Sequence, residues 1–501
     1  MILNKLSKKQ KHRILEIIPG ALVWSTLIGL VLLAVFKTIW AIYFVIIFDV
    51  YWLTKILYMI IHMMFSWLKY RKHEKINWLE KLKQEKQEEW GSIYHLLVLP
   101  TFQEPYEVLR ETFSNLIKIN YPLEKLIVVL AGEERDEENF KNYAWKIKQE
   151  FGDKFLKLLI TVHPKDIPGD LPGKGSNAHF AGKKAKEFID EQNISYDQVI
   201  VSNFDVDTCP HREYFSYLTY IFLNHPNRLR ASYQPIATYN NNIWDSPALI
   251  RVVHNSTTFW LFSDLARPER LFTFSSHSMS FKALVELGFW QRDIVTEDSR
   301  ICLQGMVHYN GDYEVVPMFI PVSMNTAYQG NFWESMKNQY KQIRRWAYGV
   351  ENFPYMMWNM WGNKKIKPFK KARYIWNQLE GTYSWATAPL VIFIMGWLPL
   401  YVANDGVKST VLAQNAPIAL RYLMNFAMIG LAFSAFLSVM TLPSRPKGKG
   451  SHRYLTMVLQ WLLFPYCMII FGSIPAIDAQ TRLMLGKYLG FNVTKKSGTK
   501  S

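Results

Sequence analysis

An apolar strand pattern that ends in two carboxylates reads Gln198-Val199-Ile200-Val201-Ser202-Asn203-Phe204-Asp205-Val206-Asp207. Similar short apolar runs occupy residues 95–99 and 126–130, and helical stretches lie between them at about 106–119 and 138–151. Buried strands that alternate with helices are typical of a parallel sheet, in which ligands bind beyond the carboxyl ends of the strands. The sequence therefore predicts an α/β, Rossmann-like nucleotide-binding domain with both carboxylates at its ligand edge.

The two carboxylates have the spacing of a cation site. On an extended segment residues i and i+2 point the same way, so Asp205 and Asp207 can reach one hard cation, which in turn would hold a diphosphate. A solvated turn is the alternative for an Asp-x-Asp pattern taken alone. Its position after a strand favours the cation site.

Composition limits the class of protein and its partners. Of the 501 residues, 49% are apolar, and Lys plus Arg exceed Asp plus Glu by 58 − 41 = 17, which indicates anionic partners. The basic clusters flank apolar spans, so anionic lipid explains them better than nucleic acid, which we do not expect to bind. The three cysteines are too scattered for a disulfide framework or a zinc site, which favours a reducing compartment.

Two apolar runs near the N-terminus, 17–36 and the run after Lys37 to about 67, are each long enough to cross a bilayer and predict a transmembrane hairpin. A cleaved signal peptide is the alternative, but a second span follows at once and no small-residue cleavage site is evident. Further spans are predicted near 383–401, 419–442 and 454–474. We expect the chain to lie in the cell membrane with its middle region in the cytoplasm. The positive-inside rule gives this orientation from the basic residues Lys5, Lys8, Lys9, Lys11, Arg13, Lys69, Arg71, Lys72, Arg445, Lys447, Lys449 and Arg453.

Charged residues near and within the spans raise two questions. Five spans would put the C-terminus outside, yet the tail contains Lys487, Lys495, Lys496 and Lys500, which favour the inside. A re-entrant or interfacial segment around 475–491 would resolve this conflict. Asp49 and Lys55 lie inside the second span, where we expect Lys55 to snorkel and Asp49 to face neighbouring helices rather than to serve a function.

Three more motifs carry candidate chemistry. Thr296-Glu297-Asp298 opens a predicted helix, where a carboxylate can take a proton from a hydroxyl; an ordinary cap by Thr296 is the alternative. Gln342, Arg345 and Trp346 share one face of a predicted helix at 331–348 and suit a phosphate and a stacked sugar, unless they anchor that helix to lipid head groups. Lys174, flanked by glycines, can approach a phosphate or belong to a plain turn.

In this order the motifs resemble those of glycosyltransferase family 2, in its membrane-integrated branch with cellulose, chitin and hyaluronan synthases. The resemblance implies a GT-A fold, an inverting transfer from a nucleotide sugar, usually a UDP-sugar, and Mg²⁺ or Mn²⁺. It also implies roles for matching residues: metal and diphosphate binding by Asp205 and Asp207, base catalysis by Asp298 with support from Glu297, nucleotide contact by Lys174, and donor and acceptor binding by Gln342, Arg345 and Trp346.

Three segments depart from the family pattern. Thr101-Phe102-Gln103-Glu104 stands where an Asn-Glu pair is usual, and Leu130-Ala131-Gly132-Glu133-Glu134 stands where an Asp-Asp-Gly-like nucleobase motif is usual. Glu104 matches the glutamate of the usual Asn-Glu pair. Glu133 is the candidate for recognition of the nucleobase or the ribose. Ser275–Ser280 also differs from the commoner glycine-rich acceptor segment, so the sugar is not specified.

These patterns predict a chain with the following parts: a transmembrane hairpin (1–68), a cytoplasmic GT-A domain (69–330), interface helices (331–382), C-terminal transmembrane helices (383–475) and a basic tail (476–501). The expected function is transfer of sugar to a growing polysaccharide. The alternatives are transfer of one or a few sugars to a lipid acceptor, and a transporter or sensor that binds a sugar nucleotide without catalysis.

Overall fold

The structure is a computed structural model, and it describes residues 7–446, 450 and 452–490. Several basic residues used above to predict orientation lie outside these described residues, namely Lys5, Lys447, Lys449, Lys495, Lys496 and Lys500.

One mixed sheet forms the centre of the molecule. Its eight strands are in the order β3-β2-β1-β4-β7-β6-β8-β5. They are β1 Tyr94–Pro100, β2 Leu126–Glu133, β3 Lys157–His163, β4 Val199–Asn203, β5 Cys209–Pro210, β6 Ala231–Thr238, β7 Ser278–Ser280 and β8 Glu314–Ser323. Strands β1, β2 and β4 are parallel, as predicted, and β3, which was not predicted, extends the parallel part, whereas β7 is antiparallel to both β4 and β6.

Helices cover the sheet and extend away from it. They are α1 Lys8–Phe36, α2 Thr38–His73, α3 Trp78–Glu85, α4 Tyr106–Leu116, α5 Glu137–Phe151, α6 Lys174–Glu191, α7 Tyr214–Asn224, α8 Ala248–Leu265, α9 Phe281–Glu286, α10 Glu297–His308, α11 Phe332–Ala347, α12 Asn352–Asn359, α13 Pro368–Met395, α14 Leu398–Val402, α15 Asp405–Lys408, α16 Val411–Met440, α17 His452–Leu459, α18 Phe464–Cys467 and α19 Ile474–Leu485. Leu96, Leu97, Val98 and Leu99 of β1 are fully buried beneath them. The apolar runs thus form the core because both faces of these strands are covered.

Four helical segments are long and apolar enough to cross a membrane: Lys8–Phe36, Thr38–His73, Val411–Met440 and His452–Leu485. The first two coincide with the predicted hairpin. The span predicted at 383–401 is divided, because α13 ends at Met395 and the short helix α14, with Pro399 in its first turn, follows at Leu398.

The last helical segment, α17 to α19, contacts the sheet side of the molecule at both of its ends. Near its start, Arg453 donates to the backbone oxygen of Trp244 at 3.1 Å. Near its end, Asp478 accepts from Arg344 of α11 at 2.9 Å, and Arg13 of α1 donates to the backbone oxygen of Leu483 at 2.7 Å. The two ends therefore lie on one side of the apolar helices.

Candidate active site

The end of β4 places Asp205 and Asp207 in different surroundings. The Asp205 carboxylate lines a large cavity, and its Oδ2 accepts a hydrogen bond from Ser275 Oγ at 2.7 Å. Asp207 is only 2% exposed, and its Oδ2 accepts from the backbone N–H of Asn325 at 2.8 Å. The chain turns here, since Thr208 N–H donates to the backbone oxygen of Asp205 at 2.9 Å. The segment is therefore not extended, so the i, i+2 spacing does not by itself direct both carboxylates to one cation, and the shared cation site stays a prediction.

Lys174 brings the acidic residues together. Its Nζ lies 2.8 Å from Asp205 Oδ1, 2.9 Å from Asp298 Oδ2 and 3.8 Å from Glu297 Oε1. Burial by itself would lower the pKa of the Lys174 ammonium, but the Asp205 and Asp298 carboxylates outweigh burial and raise it. The lysine is thus a fixed positive charge in the site. It is the first residue of α6, so the plain-turn interpretation is wrong.

The glycine after Lys174 allows two helices to meet. A Cβ on Gly175 would lie 2.8 Å from the backbone oxygen of Gln291 and 3.2 Å from Cβ of Glu297. The start of α6 and the start of α10 therefore approach too closely for any side chain. This contact explains how residues far apart in sequence become neighbours in the site.

The Thr296-Glu297-Asp298 motif is not an ordinary helix cap. Helix α10 begins at Glu297, as predicted, but Thr296 makes no side-chain capping bond; its Oγ1 donates to Glu351 Oε1 at 2.5 Å. Asp298 lines the cavity, whereas Glu297 is 1% exposed. Burial, and then the neighbouring Asp298 carboxylate, raise the pKa of Glu297 above the ordinary value for a glutamate.

Helix α11 presents Gln342, Arg345 and Trp346 to the same cavity. The Trp346 ring centre lies 5.9 Å from that of Tyr239, which also lines the cavity. The side of α11 that is open to the surroundings carries Trp333 instead, which is 76% exposed. The predicted motif therefore faces the cavity and not the open side of the helix.

Glu104 and Glu133 also line the cavity, at the ends of β1 and β2. Glu104 Oε2 accepts from Thr101 Oγ1 at 2.7 Å and from the backbone N–H of Phe102 at 2.5 Å. Glu133 Oε2 accepts from Arg135 Nε at 2.9 Å. All sequence-predicted site residues except Asp207 and Glu297 are thus lining residues of one cavity.

A divalent metal ion fits this site with few protein ligands. Within the described residues, no group of three or more His, Cys, Asp or Glu side chains is arranged to hold a metal ion. Magnesium commonly uses one or two carboxylates and completes its shell with water and substrate phosphate oxygens. The Asp205 carboxylate facing the cavity meets that requirement if a diphosphate supplies the remaining ligands, whereas Asp207 is buried and accepts from the backbone N–H of Asn325.

The cavity extends from these polar residues to the apolar helices and has a volume of about 1910 Å³. Its far part is lined by residues of α2, α13 and α16, including Asp49, Lys55 and Met424. Lys55 forms an ion pair with Glu380 of α13, and Tyr51 and Ser384 also donate to Glu380. The expectation that Lys55 snorkels is therefore wrong, because its charge is neutralised inside the protein.

Sequence reasoning assigned no role to three neighbours of the site, although Ser275 lies in the segment that matches the acceptor motif. Asn203 donates to Asp298 Oδ1 at 3.4 Å, Ser275 binds Asp205, and Tyr239 packs on Trp346. Asn203 and Tyr239 each lie at or just after the end of a strand, β4 or β6. The rule that ligands bind at strand ends could have identified both.

Comparison with known proteins gave remote structural matches only. No protein-family model and no curated protein matches the chain. Among solved structures, the chain is similar to the mannosyltransferase PcManGT from Pyrobaculum calidifontis in complex with GDP-Man and Mn²⁺, with 13% identity, a TM-score of 0.42, and coverage of 74% of this chain and 99% of that chain. It is also similar to S. aureus TarS 1–349 in complex with UDP-GlcNAc, with 12% identity, a TM-score of 0.35, and coverage of 71% and 95%. Both TM-scores are low, so the geometry of the site, and not these similarities, carries the functional argument.

Proposed function

We propose that the protein is a membrane-embedded inverting glycosyltransferase that uses a nucleotide sugar, with a UDP-sugar as the first candidate. One observation carries the proposal. Lys174, Asp205 and Asp298 converge at the edge of the sheet and open into a cavity that continues between apolar helices. A site of this kind joins a charged, water-soluble donor to an acceptor that arrives from the membrane side.

In this proposal the chain's own residues bind and orient the donor. Lys174 and Arg345 offer positive charge to the diphosphate, and Trp346 offers a ring on which a sugar can stack. Glu104 and Glu133 lie where the nucleoside would bind. Asp205 would hold Mg²⁺ or Mn²⁺ together with the diphosphate, and the bound ion would offset the negative charge of the leaving group. Asp207 is assigned to positioning the Asn325 loop in place of metal ligation.

The chemical step needs a base opposite the leaving group. Asp298 takes the proton from an acceptor hydroxyl, the freed oxygen attacks the anomeric carbon, and the bond from that carbon to the diphosphate breaks with inversion. General base catalysis of this kind contributes typically about 10²–10⁴-fold. Glu297 and Lys174 hold Asp298 in place through the close start of α6 and α10.

Two acceptors remain candidates. A growing polysaccharide passing between the helices is the first. A lipid is the second, and one observation favours it: the part of the cavity between the helices is lined mainly by apolar residues such as Met59, Ile60, Met424 and Leu431. Product length, measured with purified protein, distinguishes the two.

We further propose that the sheet domain is cytoplasmic and that the boundaries 1–68, 69–330, 331–382, 383–475 and 476–501 describe the working parts of the chain. The four candidate spans are consistent with attachment to a membrane. The two ends of the α17–α19 segment meet the sheet side of the molecule, which supports an interfacial path for this segment.

A screen of UDP- and GDP-sugars against membranes that contain the protein tests the function. We expect UDP or GDP release with one donor, dependent on Mg²⁺ or Mn²⁺, and a product larger than the acceptor. Binding of a nucleotide sugar without release of nucleotide under any condition would instead support the transporter or sensor alternative.

A further inference from the structure

The loop that follows α8 carries two arginines to the place where the sheet domain meets the apolar helices. Arg267 and Arg270 both line the large cavity, as does Tyr58 of α2. The guanidinium carbon of Arg267 lies 4.8 Å from the centre of the Tyr58 ring. Two positive charges are therefore held beside the apolar part of the cavity.

Both guanidinium groups keep a buried N–H that no described residue accepts. In the part of the chain that the structure describes, Nε of Arg267 and Nε of Arg270 are buried without a hydrogen-bond partner. Arg270 donates through Nη2 to Asp264 at 2.8 Å, and Arg267 has Glu269 at 3.8 Å, which is too long for a hydrogen bond. Leaving such donors unpaired is costly, so a ligand that accepts from both would be stabilised here.

The unpaired donors suit an anion. Burial lowers the pKa of Arg267, and so does the charge of Arg270, while Tyr58, Asp264 and Glu269 raise it. Arginine presents a rigid fork that matches the oxygens of phosphate. A phosphate at this position would accept hydrogen bonds from both unpaired Nε–H groups.

The side chains around the two arginines indicate what is attached to the phosphate. Residues Met59, Met63, Trp260 and Phe274 also line this cavity. Sugar hydroxyls would find few hydrogen-bond partners against such side chains, whereas a hydrocarbon chain needs none.

We infer that Arg267 and Arg270 bind the phosphate of an amphiphilic acceptor, a long-chain lipid phosphate whose hydrocarbon occupies the apolar part of the cavity. This inference rests on the proposed transferase function, for which it names the acceptor class. In the transfer, a protonated oxygen of that phosphate gives its proton to Asp298 and attacks the anomeric carbon, and the bond from that carbon to the donor diphosphate breaks.

Binding of a simple probe tests the site without turnover. Dodecyl phosphate, dodecanol and inorganic phosphate are titrated into purified full-length protein in maltoside micelles, with tryptophan fluorescence as the readout. Dodecyl phosphate should bind at least about tenfold more tightly than either other probe, and Arg267→Gln and Arg270→Gln should each weaken its binding about tenfold or more, as expected for loss of a charge-assisted hydrogen bond. Micelle uptake of the probe is the same for every variant and cancels in the comparison.

The controls separate this site from the donor site and from misfolding. Arg230→Gln, an exposed arginine that pairs with Asp312, should bind dodecyl phosphate like the parent. UDP binding should be unchanged in all of these variants. Should a Gln variant fail to fold, Arg267→Lys keeps the charge but removes Nε–H, and it should still show weakened dodecyl phosphate binding.

Three outcomes would overturn the inference: unchanged dodecyl phosphate affinity in the folded arginine variants, equal affinity for dodecanol, or equal affinity for inorganic phosphate, which would indicate a site for free phosphate. A protein that binds dodecyl phosphate through Arg267 but releases nucleotide from no donor would keep this site and disprove the transferase function instead.

Discussion

At the scale of single residues, Lys174 sets the charge of the site. Its ammonium lies within hydrogen-bonding distance of both Asp205 and Asp298, so neither carboxylate faces the other without a cation between them. Under the proposed function, a donor diphosphate would bring negative charge to the same place and compete with these carboxylates for the lysine. Donor binding and the freeing of Asp298 as a base would then be linked through one side chain.

The first prediction concerns that base. Asp298→Asn should leave UDP binding close to that of the parent while lowering the transfer rate by about 10²–10⁴-fold, because the amide cannot take the acceptor proton. Steady-state UDP release, with UDP binding measured in parallel, checks this. Asp293→Asn, an exposed aspartate just before the motif, is the matched control and should keep full activity. A normal transfer rate in Asp298→Asn would show that Asp298 is not the general base.

The second prediction separates the two aspartates after β4. Asp205→Asn should raise the Mn²⁺ concentration needed for UDP binding by about tenfold or more, since it removes the carboxylate that faces the cavity. Asp207→Asn should leave that requirement unchanged and lower the melting temperature, because it weakens the bond to Asn325 N–H. Titration of Mn²⁺ at fixed UDP, with a thermal melt of each variant, measures both effects. An equal Mn²⁺ shift in the two variants would restore the shared cation site.

The same pair shows what residue spacing could predict. The sequence predicted that Asp205 follows a buried strand, because the apolar run of β4 is local in sequence. It could not predict that Asp207 is buried against Asn325, because this contact depends on a turn after the strand and on a residue over a hundred positions later. Arg267 and Arg270 were also missed, since nothing in their immediate sequence shows that a cavity adjoins them.

At the scale of elements, apolar runs predicted β1, β2 and β4 well, because these strands are almost wholly buried. It predicted the span at 383–401 poorly. Helix α13 begins on the sheet domain, where Lys370 donates to the backbone oxygen of Gly311 at 2.7 Å, and only its second half runs among apolar helices. When one helix contains both a polar contact region and an apolar span, the hydropathy pattern does not show where the span begins.

The third prediction concerns the path of α17 to α19. In a background with Cys209, Cys302 and Cys467 replaced by serine, Ser409→Cys and Lys487→Cys each supply one exposed thiol. If the segment lies along the interface, a membrane-impermeant maleimide should label Ser409→Cys in intact cells and Lys487→Cys only after permeabilisation. Labelling of Lys487→Cys in intact cells would mean that the segment crosses the membrane.

At the scale of the whole molecule, the cavity is the feature that no local pattern could show. Its walls come from α2, α8, α13 and α16, which are separated by long stretches of chain. The walls from α2 and α16 were predicted as apolar spans, that from α13 only in part and that from α8 not at all, and the empty space among them depends on how all four pack. The position of the acceptor is therefore a property of the assembled fold.

The fourth prediction tests whether the acceptor uses that space. Ala427→Trp places an indole in the cavity wall and should lower transfer to the acceptor by about tenfold or more, while UDP binding stays unchanged, because the donor end is remote from α16. Phe426→Trp, its exposed neighbour on α16, points away from the lining and should have little effect. Transfer assays at several acceptor concentrations measure the difference. Equal activity of the two variants would show that the acceptor takes another route.

The continuity of the cavity has a pharmacological consequence. A uridine diphosphate head tethered to an alkyl tail would fill both compartments at once, and the second contact would form within a single bound molecule. Such a hybrid compound should inhibit far more strongly than either fragment, and its best tether length would report the span between the two compartments.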